Sequence, residues 1–342
     1  MADLTDAPGT VLLVRGPSTG GIRRHVEALA ARLPVRHWTP VILEVRRGPA
    51  AWWAIRRAAH GIDVIHAHGL TVGWWASAVP RRPPLVVTVH NVVLDGVAGW
   101  RAPLLRRLER WLPRRVDAVI ATSPMVAARL GGAAAVVRPM GPPPTPGRGR
   151  DDVRREWGVP VTAPVAAAVG RLHPQKGLDT VLDAMGPLGE RVPAAHVVLV
   201  GAGPLEGRLR QRIAAEGLTG RVHLVGPAVD TAGALLAADV VMVASVWESG
   251  PLVVSEAMEL GRPVVATPVG FVPELIADGE SGRIVASGNA GALAAAVADL
   301  LLAPQQAAAL GEAGRRRVTA WLDRGAAVDA VVAVYEAVRR RP

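Results

Sequence analysis

At 342 residues, half of them apolar and a fifth charged, the chain exceeds one ordinary core and fits two soluble domains of about 150 residues each. The absence of cysteine excludes disulfides, thiolate metal sites and a cysteine nucleophile, while Asp63, Asp239 and Asp299 break the apolar runs that come nearest to membrane-spanning length. The net charge of +10 sits wholly in residues 1–150, which carry 21 arginines against 8 acids, whereas 18 bases against 21 acids leave the remainder at −3, so the first half is expected to meet an anionic partner.

The opening MADLTDAPGT carries two acids and no basic stretch, unlike a secretory signal, and a cytoplasmic protein is expected. Short β-branched runs then alternate with amphipathic stretches, which predicts βα units and parallel sheets. In the first half, strands are predicted at 10–15, 40–45, 62–66, 85–90, 116–121 and 134–138. Their near-continuous apolar character predicts burial on both faces. A helix is predicted over 20–33, with Ile22, Val26, Leu29, Ala30 and Leu33 at helical spacing.

Seven of the ten tryptophans also lie in this half. The stretch 100–115 sets Leu104, Leu105, Leu108, Trp111 and Leu112 on one helical face, crowded by Arg106, Arg107, Arg110, Arg114 and Arg115. With AWWAIRR at 51–57, it suits two readings: a surface that lies on anionic lipid, or an amphipathic helix packing its stripe into its own core. No RNA- or DNA-binding motif accompanies the charge, so nucleic acid is not expected.

The proline-rich segment 139–149 marks the join between halves. The expected organisation is a Rossmann-like domain over 1–142, a linker over 143–149, a second Rossmann-like domain over 150–320, and a C-terminal helix within 321–342 crossing back to the first domain. In the second half, strands are predicted at 164–169, 195–200, 221–225, 239–244, 262–266 and 282–286. Doubly wound sheets bind ligands beyond the carboxyl ends of their strands, so a cleft between the two halves is the expected site. No internal repeat of 20–50 residues is evident.

Two stretches carry the chemistry. In 244–268, a strand ends near Ser245, a Gly-Pro loop follows, and a helix is predicted to start around Pro251 and carry Glu256. The amides of Gly250, Pro251 and Leu252 lie where a helix start presents its free N–H groups and positive dipole end, although proline itself supplies no donor. Glu248 and Glu256 either serve the vicinal hydroxyls of a sugar or are a solvated loop acid and a dipole-favoured helix acid. In 169–179, Arg171 and Lys176 follow a buried strand, with Gly177 opening the next helix. Two cations beside a helix start form a diphosphate clamp. Lys176 is the single lysine among 39 basic residues, which suggests a need for a compact ammonium there.

With these motifs in order, the chain resembles glycosyltransferase family 4 over nearly its whole length. The family's E-x7-E motif resembles Glu248 to Glu256, and its G-R-x-x-x-x-K-G motif resembles Gly170 to Gly177. GAGPLEGRL (201–209), RVHLVG (221–226) and VPELIADGESG (272–282) match as well. The resemblance implies an α/β GT-B fold of two doubly wound Rossmann-like domains facing across a cleft. It also implies a nucleotide-sugar donor, UDP- or GDP-linked, and a hexosyl group transferred with retention. By the same resemblance, Glu248 meets donor-sugar hydroxyls, with Ser249 beside it. Glu256 meets the ribose, Arg171 and Lys176 the diphosphate, and Glu274 the ribose or phosphate.

In the first half, Gly20-Gly21 resembles the family's N-terminal glycine loop, and His90 resembles the histidine that positions the donor sugar. His66 and His68 are candidates for lining the acceptor pocket. The acceptor is expected to be a small molecule or a lipid-linked phosphate, bound by a cytoplasmic enzyme at the inner face of the cell membrane if lipid-linked. No D-x-D pair is present, so no metal and no cofactor are expected. A P-loop is absent, and G-x-G at 201–203 lacks the dinucleotide spacing. Where the family usually has Glu-Gly-Phe-Gly, this chain has Glu248-Ser249-Gly250-Pro251, and Phe271 stands where glycine is common, which leaves the donor sugar open. Two rival readings are a sugar-nucleotide epimerase on the same architecture and a non-catalytic peripheral membrane protein.

Overall fold

The βα alternation folds into two units in the computed structural model, which describes residues 8–17, 20–46, 48–93, 99–132, 134–228 and 230–340. Unit one comprises residues 1–142 and 323–342, and unit two residues 143–322.

Unit one holds a six-stranded sheet of β1 (Gly9–Arg15), β2 (Trp38–Glu44), β3 (Val64–His68), β4 (Leu85–Val89), β5 (Ala118–Ala121) and β6 (Ala135–Val136). The spatial order is β2-β1-β3-β4-β5-β6, with every pairing parallel. Val11 to Val14 of β1 are fully buried, as the continuous apolar run requires. β2 departs from the expectation of two buried faces, since Val41 and Ile42 stand 42% and 44% exposed. An edge strand has a neighbour on one side only, and little covers its outer face.

The helix Gly21–Ala30 buries Val26 and Leu29 against this sheet. Packed with them is the C-terminal helix Arg324–Arg339, which places Val328, Val331, Tyr335 and Val338 at helical spacing in the same core. Asp323 caps this helix by accepting from the Ala326 amide at 2.9 Å. Trp38 Nε1 donates to Glu336 at 3.2 Å, and Arg36 pairs with Asp329 at 2.7 Å.

Unit two holds β7 (Val165–Val169), β8 (His196–Val200), β9 (Val222–Leu224), β10 (Val240–Val243), β11 (Val264–Ala266) and β12 (Arg283–Ile284). The order is β12-β11-β10-β7-β8-β9, again all parallel, with one apolar cluster on each face. Asp239, which interrupts the apolar run of β10, accepts from the Val165 amide and pairs with the fully buried Arg154 at 2.9 Å. The Arg154 guanidinium also donates to the carbonyls of Val161, Ala163 and Ala237. A buried cation surrounded by acceptors in this way ties the helix Arg150–Glu156 to the sheet.

Candidate functional site

Each sheet reverses its strand order once, and ligands of such sheets bind beyond the strand ends at that reversal. In unit two it falls between β7 and β10. The loop after β7 begins Gly170-Arg171, and the loop after β10 runs from Ala244 to Pro251. Between them lies a small pocket of about 20 Å³ lined by Gly170, Arg171, Lys176, Ser245 and Val253.

Backbone contacts stitch the two loops together. Gln175 O accepts from the Val246 amide at 2.8 Å, and the Gln175 side chain donates to Trp247 O at 3.4 Å. Gly177 adopts φ +62°, and any Cβ there would overlap the Ala244 carbonyl, so this position requires glycine. Across the junction, Lys176 Nζ lies 2.5 Å from Glu248 Oε1, and the Ser245 hydroxyl donates to the same oxygen at 3.1 Å. Glu248 is therefore a buried, bonded carboxylate, not a solvated loop acid. Arg171 is exposed and forms no ion pair among the described residues.

Pro251 occupies the N-cap of the helix Leu252–Glu259, and no side chain caps that helix start. Glu256, 2% exposed, lies inside this helix, and Ser249 is buried in the loop before it. Glu274 sits exposed on the short helix Val272–Leu275, whose last carbonyls accept from Arg317. The structure thus places Arg171 and Lys176 on the pocket wall and joins Glu248 to them through its pair with Lys176, while neither Glu256 nor Glu274 is among the described lining residues.

Two residues of this region escaped the sequence reading. Gly270, at φ +58°, presses on the chemistry-bearing loop, since a Cβ there would lie 2.7 Å from Ser249 O. His173, between the two cations, is held below the usual histidine range by burial and then by Arg171. Only its place inside the G-R-x-x-x-x-K-G motif hinted at it. Phe271, which departs from the family pattern, packs its ring 4.8 Å from that of Trp321.

In unit one the reversal falls between β1 and β3, and a cavity of about 460 Å³ opens there. Its wall comes from Gly16 and Pro17 after β1, His68 at the end of β3 with Gly69 to Val72 after it, and Asn91 and Val92 after β4. Gly20 caps the helix Gly21–Ala30, and a Cβ on Gly20 would meet no protein atom within 4 Å. His66 and His68 point to one face of β3 because strand side chains alternate. There they meet His90, just past β4, and His25, which the helical spacing of Ile22, Val26 and Leu29 places on the inner face.

His68 lines the cavity with Nδ1 3.1 Å from His90 Nε2, and its Nε2 has no hydrogen-bond partner among the described residues. The expected place of His66 on the acceptor side is corrected. Its Nδ1 lies 2.6 Å from the Tyr335 hydroxyl and its Nε2 2.6 Å from Thr88 Oγ1, so both nitrogens are engaged and the ring is fully buried. His66 anchors the C-terminal helix.

Burial lowers the pKa of His25 to about 4 and of His66 to about 3, and pushes His68 and His90 well below the usual range. All four rings are neutral at pH 7. His25, His68 and His90 each bring one nitrogen within 4.8 Å of the others. The Met140 amide donates to His25 Nδ1 at 3.1 Å, which puts the proton of that neutral ring on Nε2. A cation bound there would first have to displace that proton.

The amphipathic helix Ala102–Trp111 follows the core-packing reading only in part, since Leu108 of its stripe is half-buried and Leu112, just past its end, is fully buried. It buries Ala102 and Glu109, the latter accepting from the Val93 amide at 2.7 Å and pairing with Arg129 at 2.8 Å. Trp100, Leu104 and Trp111 are 86%, 62% and 51% exposed.

The model of glycosyl transferases group 1 matches residues 149–317, and that of glycosyltransferase family 4 matches residues 10–137. A D-inositol 3-phosphate glycosyltransferase of Actinosynnema mirum is 33% identical over 289 residues, covering 76% of this chain and 69% of the relative. A protein of the same name from Corynebacterium efficiens is 38% identical over 151 residues, which span 41% of this chain and only 36% of the relative's length. The structure of Anabaena HepE in complex with UDP and glucose superposes with a TM-score of 0.80 at 22% identity, covering 96% of this chain and 100% of that one. The fold is GT-B, and the chain belongs to the group 1, family 4 glycosyltransferases.

Proposed function

We propose that the protein transfers a hexosyl group from a UDP- or GDP-linked sugar to an acceptor hydroxyl, with retention of the anomeric configuration. The observation that carries this reading is the meeting of Arg171, Lys176 and Glu248 at the strand reversal of unit two, beside an uncapped helix start. A departing nucleoside diphosphate develops negative charge where the two cations and the helix N-terminus stand. The bond from the anomeric carbon to the phosphate oxygen breaks, a bond to the acceptor oxygen forms, and the leaving phosphate takes the acceptor proton.

Glu248, with Ser249 beside it, orients the sugar hydroxyls, Glu256 holds the ribose, and Glu274 contacts the ribose or phosphate. The amides of Gly250 and Leu252 face the donor across Pro251. His90 and the Gly20-Gly21 turn keep the positioning roles implied by the family resemblance. This chemistry draws on side-chain cations and amides and calls for neither metal nor cofactor. Unit one supplies the acceptor site, and the cytoplasm supplies the donor.

The exposed stripe of Trp100, Leu104 and Trp111 among arginines favours a second feature, docking of unit one on an anionic membrane surface. That arrangement would present a lipid-linked acceptor at the inner face of the cell membrane.

A thermal-shift series with UDP, GDP and ADP tests the donor reading. The cognate nucleotide at 100 times its Kd should stabilise by about 2.7 kcal/mol. Glu256→Ala should lose that response with the fold intact, and product analysis by mass should find a glycosylated acceptor. A response left intact in Glu256→Ala counts against the site.

A further inference from the structure

We propose that Arg317 is a positioning residue for the donor site: by its hold on two backbone carbonyls it fixes the rotation of the turn Val272–Leu275 and so sets the direction of Glu274. The proposal rests on the transferase reading, in which Glu274 contacts the donor's ribose or phosphate, and adds the residue through which that contact is aimed.

The turn cannot hold itself. It is a helix of four residues, far below the length at which a helix is stable alone. Phe271 O accepts from the Glu274 and Leu275 amides, and Val272 O accepts from the Ile276 amide. The carbonyls of Glu274 and Leu275 are left over, as the last carbonyls of a helix are. Val272, Leu275 and Ile276 are buried and hold the turn to the core. Apolar contact is non-directional, so it fixes the depth of the turn more firmly than its rotation.

Arg317 supplies the directional contacts. Its Nε donates to Leu275 O at 2.6 Å and its Nη2 to Glu274 O at 3.0 Å, so one planar fork engages both leftover carbonyls. The cation also lies at the negative end of the turn's dipole. Further along the same helix, Pro304–Trp321, the Trp321 ring packs 4.8 Å from that of Phe271. Arg317 and Trp321 share a helix face by their i, i+4 spacing. That face therefore holds the turn at both ends, by a ring at the first and by hydrogen bonds at the last. Glu274 projects from the residue whose own carbonyl Arg317 grips, so its direction follows the fork.

The test uses the full chain and isothermal titration calorimetry with UDP, GDP and ADP. For the nucleotide that binds, Arg317→Met should raise Kd about tenfold, the loss expected for one hydrogen bond to a charged group. Arg317→Lys should recover part of that loss, because an ammonium also donates to a carbonyl but does not span two. Glu274→Gln should weaken binding by a similar factor. Adding Arg317→Met to Glu274→Gln should then change Kd by less than about twofold, since both act on one contact. Denaturation of the same samples separates positioning from bulk stability: a purely structural role lowers stability and leaves Kd alone.

Parent affinity in Arg317→Met, or losses that multiply in the double variant, overturns the proposal and spares the transferase reading. Binding of none of the three nucleotides by the parent sinks the transferase reading and the proposal with it. A loss in Arg317→Met alongside parent affinity in Glu274→Gln removes Glu274 from the donor contacts and overturns the route proposed for Arg317.

Discussion

Lys176 Nζ stands 2.5 Å from Glu248 Oε1, so the chain's single lysine closes the strand reversal of unit two by pairing with the loop acid. In the proposed reaction, an arriving diphosphate competes with Glu248 for that ammonium and releases the carboxylate toward the sugar. Lys176→Met should therefore abolish the nucleotide thermal shift and lower turnover about 100- to 1,000-fold. Lys176→Arg should not restore it, because a planar fork does not fit where a point charge lies against Gly170. Glu248→Gln should lower turnover and keep the nucleotide shift, since its proposed contact is to the sugar. Equal loss of nucleotide binding in both variants would argue that the pair acts as one structural unit.

Gly270 makes the loop's position testable from behind. At φ +58° and with Ser249 O 2.7 Å from where a Cβ would stand, alanine is strained twice, by backbone conformation and by contact with a carbonyl. Gly270→Ala should cost about 1–3 kcal/mol of unfolding free energy and weaken nucleotide binding by displacing the 248–249 segment. Chemical denaturation and the thermal-shift series read the two effects separately. A stable variant with normal nucleotide affinity would show that the loop tolerates the shift.

The strands were legible because parallel sheets bury both faces, and an apolar run such as Val11 to Val14 announces itself without any partner in view. Residues whose role depends on a partner distant in sequence were less legible. Nothing local marks Tyr335 as the partner of His66, 269 positions away, and so His66 read like a cavity residue. His25 carried a usable signal, its place on the buried face of a helix, but a histidine among apolar residues reads first as packing. Gly270 was hidden for a different reason: a close backbone approach leaves no periodic trace. The stripe of 100–115 left two readings open because its residues divide, Leu112 being fully buried while Leu104 and Trp111 are more than half exposed, and nothing local marks Glu109 as the buried partner of Val93 and Arg129.

The histidine cluster makes unit one acid-labile. His25 and His66 titrate near 4 and 3 when folded, against 6.5 for an ordinary histidine. Between those values the unfolded chain binds more protons than the folded one, so stability rises with pH. It is lost progressively as the pH falls below about 6.5, and the loss levels off once the folded rings themselves protonate. For His25 alone the loss reaches roughly 3 kcal/mol. Calorimetry between pH 7.5 and 4.5 should show this decline, and His66→Gln should reduce its slope even if the variant is less stable throughout. A slope equal to that of the parent would place the acid sensitivity elsewhere.

The exposed stripe of the helix Ala102–Trp111 leads to the last prediction. Leu104 and Trp111 are more than half exposed, and Arg107, Arg110, Arg114 and Arg115 are exposed beside them. Near an anionic surface each arginine contributes about 1 kcal/mol, an attraction that fades beyond the Debye length of about 10 Å at 0.1 M salt. Four of them give about 4 kcal/mol before any apolar side chain inserts. The protein should therefore float with vesicles containing phosphatidylserine at 0.1 M salt, be released at 1 M, and ignore neutral vesicles. The leucine and the tryptophan separate insertion from simple charge attraction. If the stripe inserts, Leu104→Ser with Trp111→Ser should abolish flotation with every arginine in place. If charge alone holds the protein, that double variant should float like the parent, and the outward turn of the stripe would then need a protein partner to cover it.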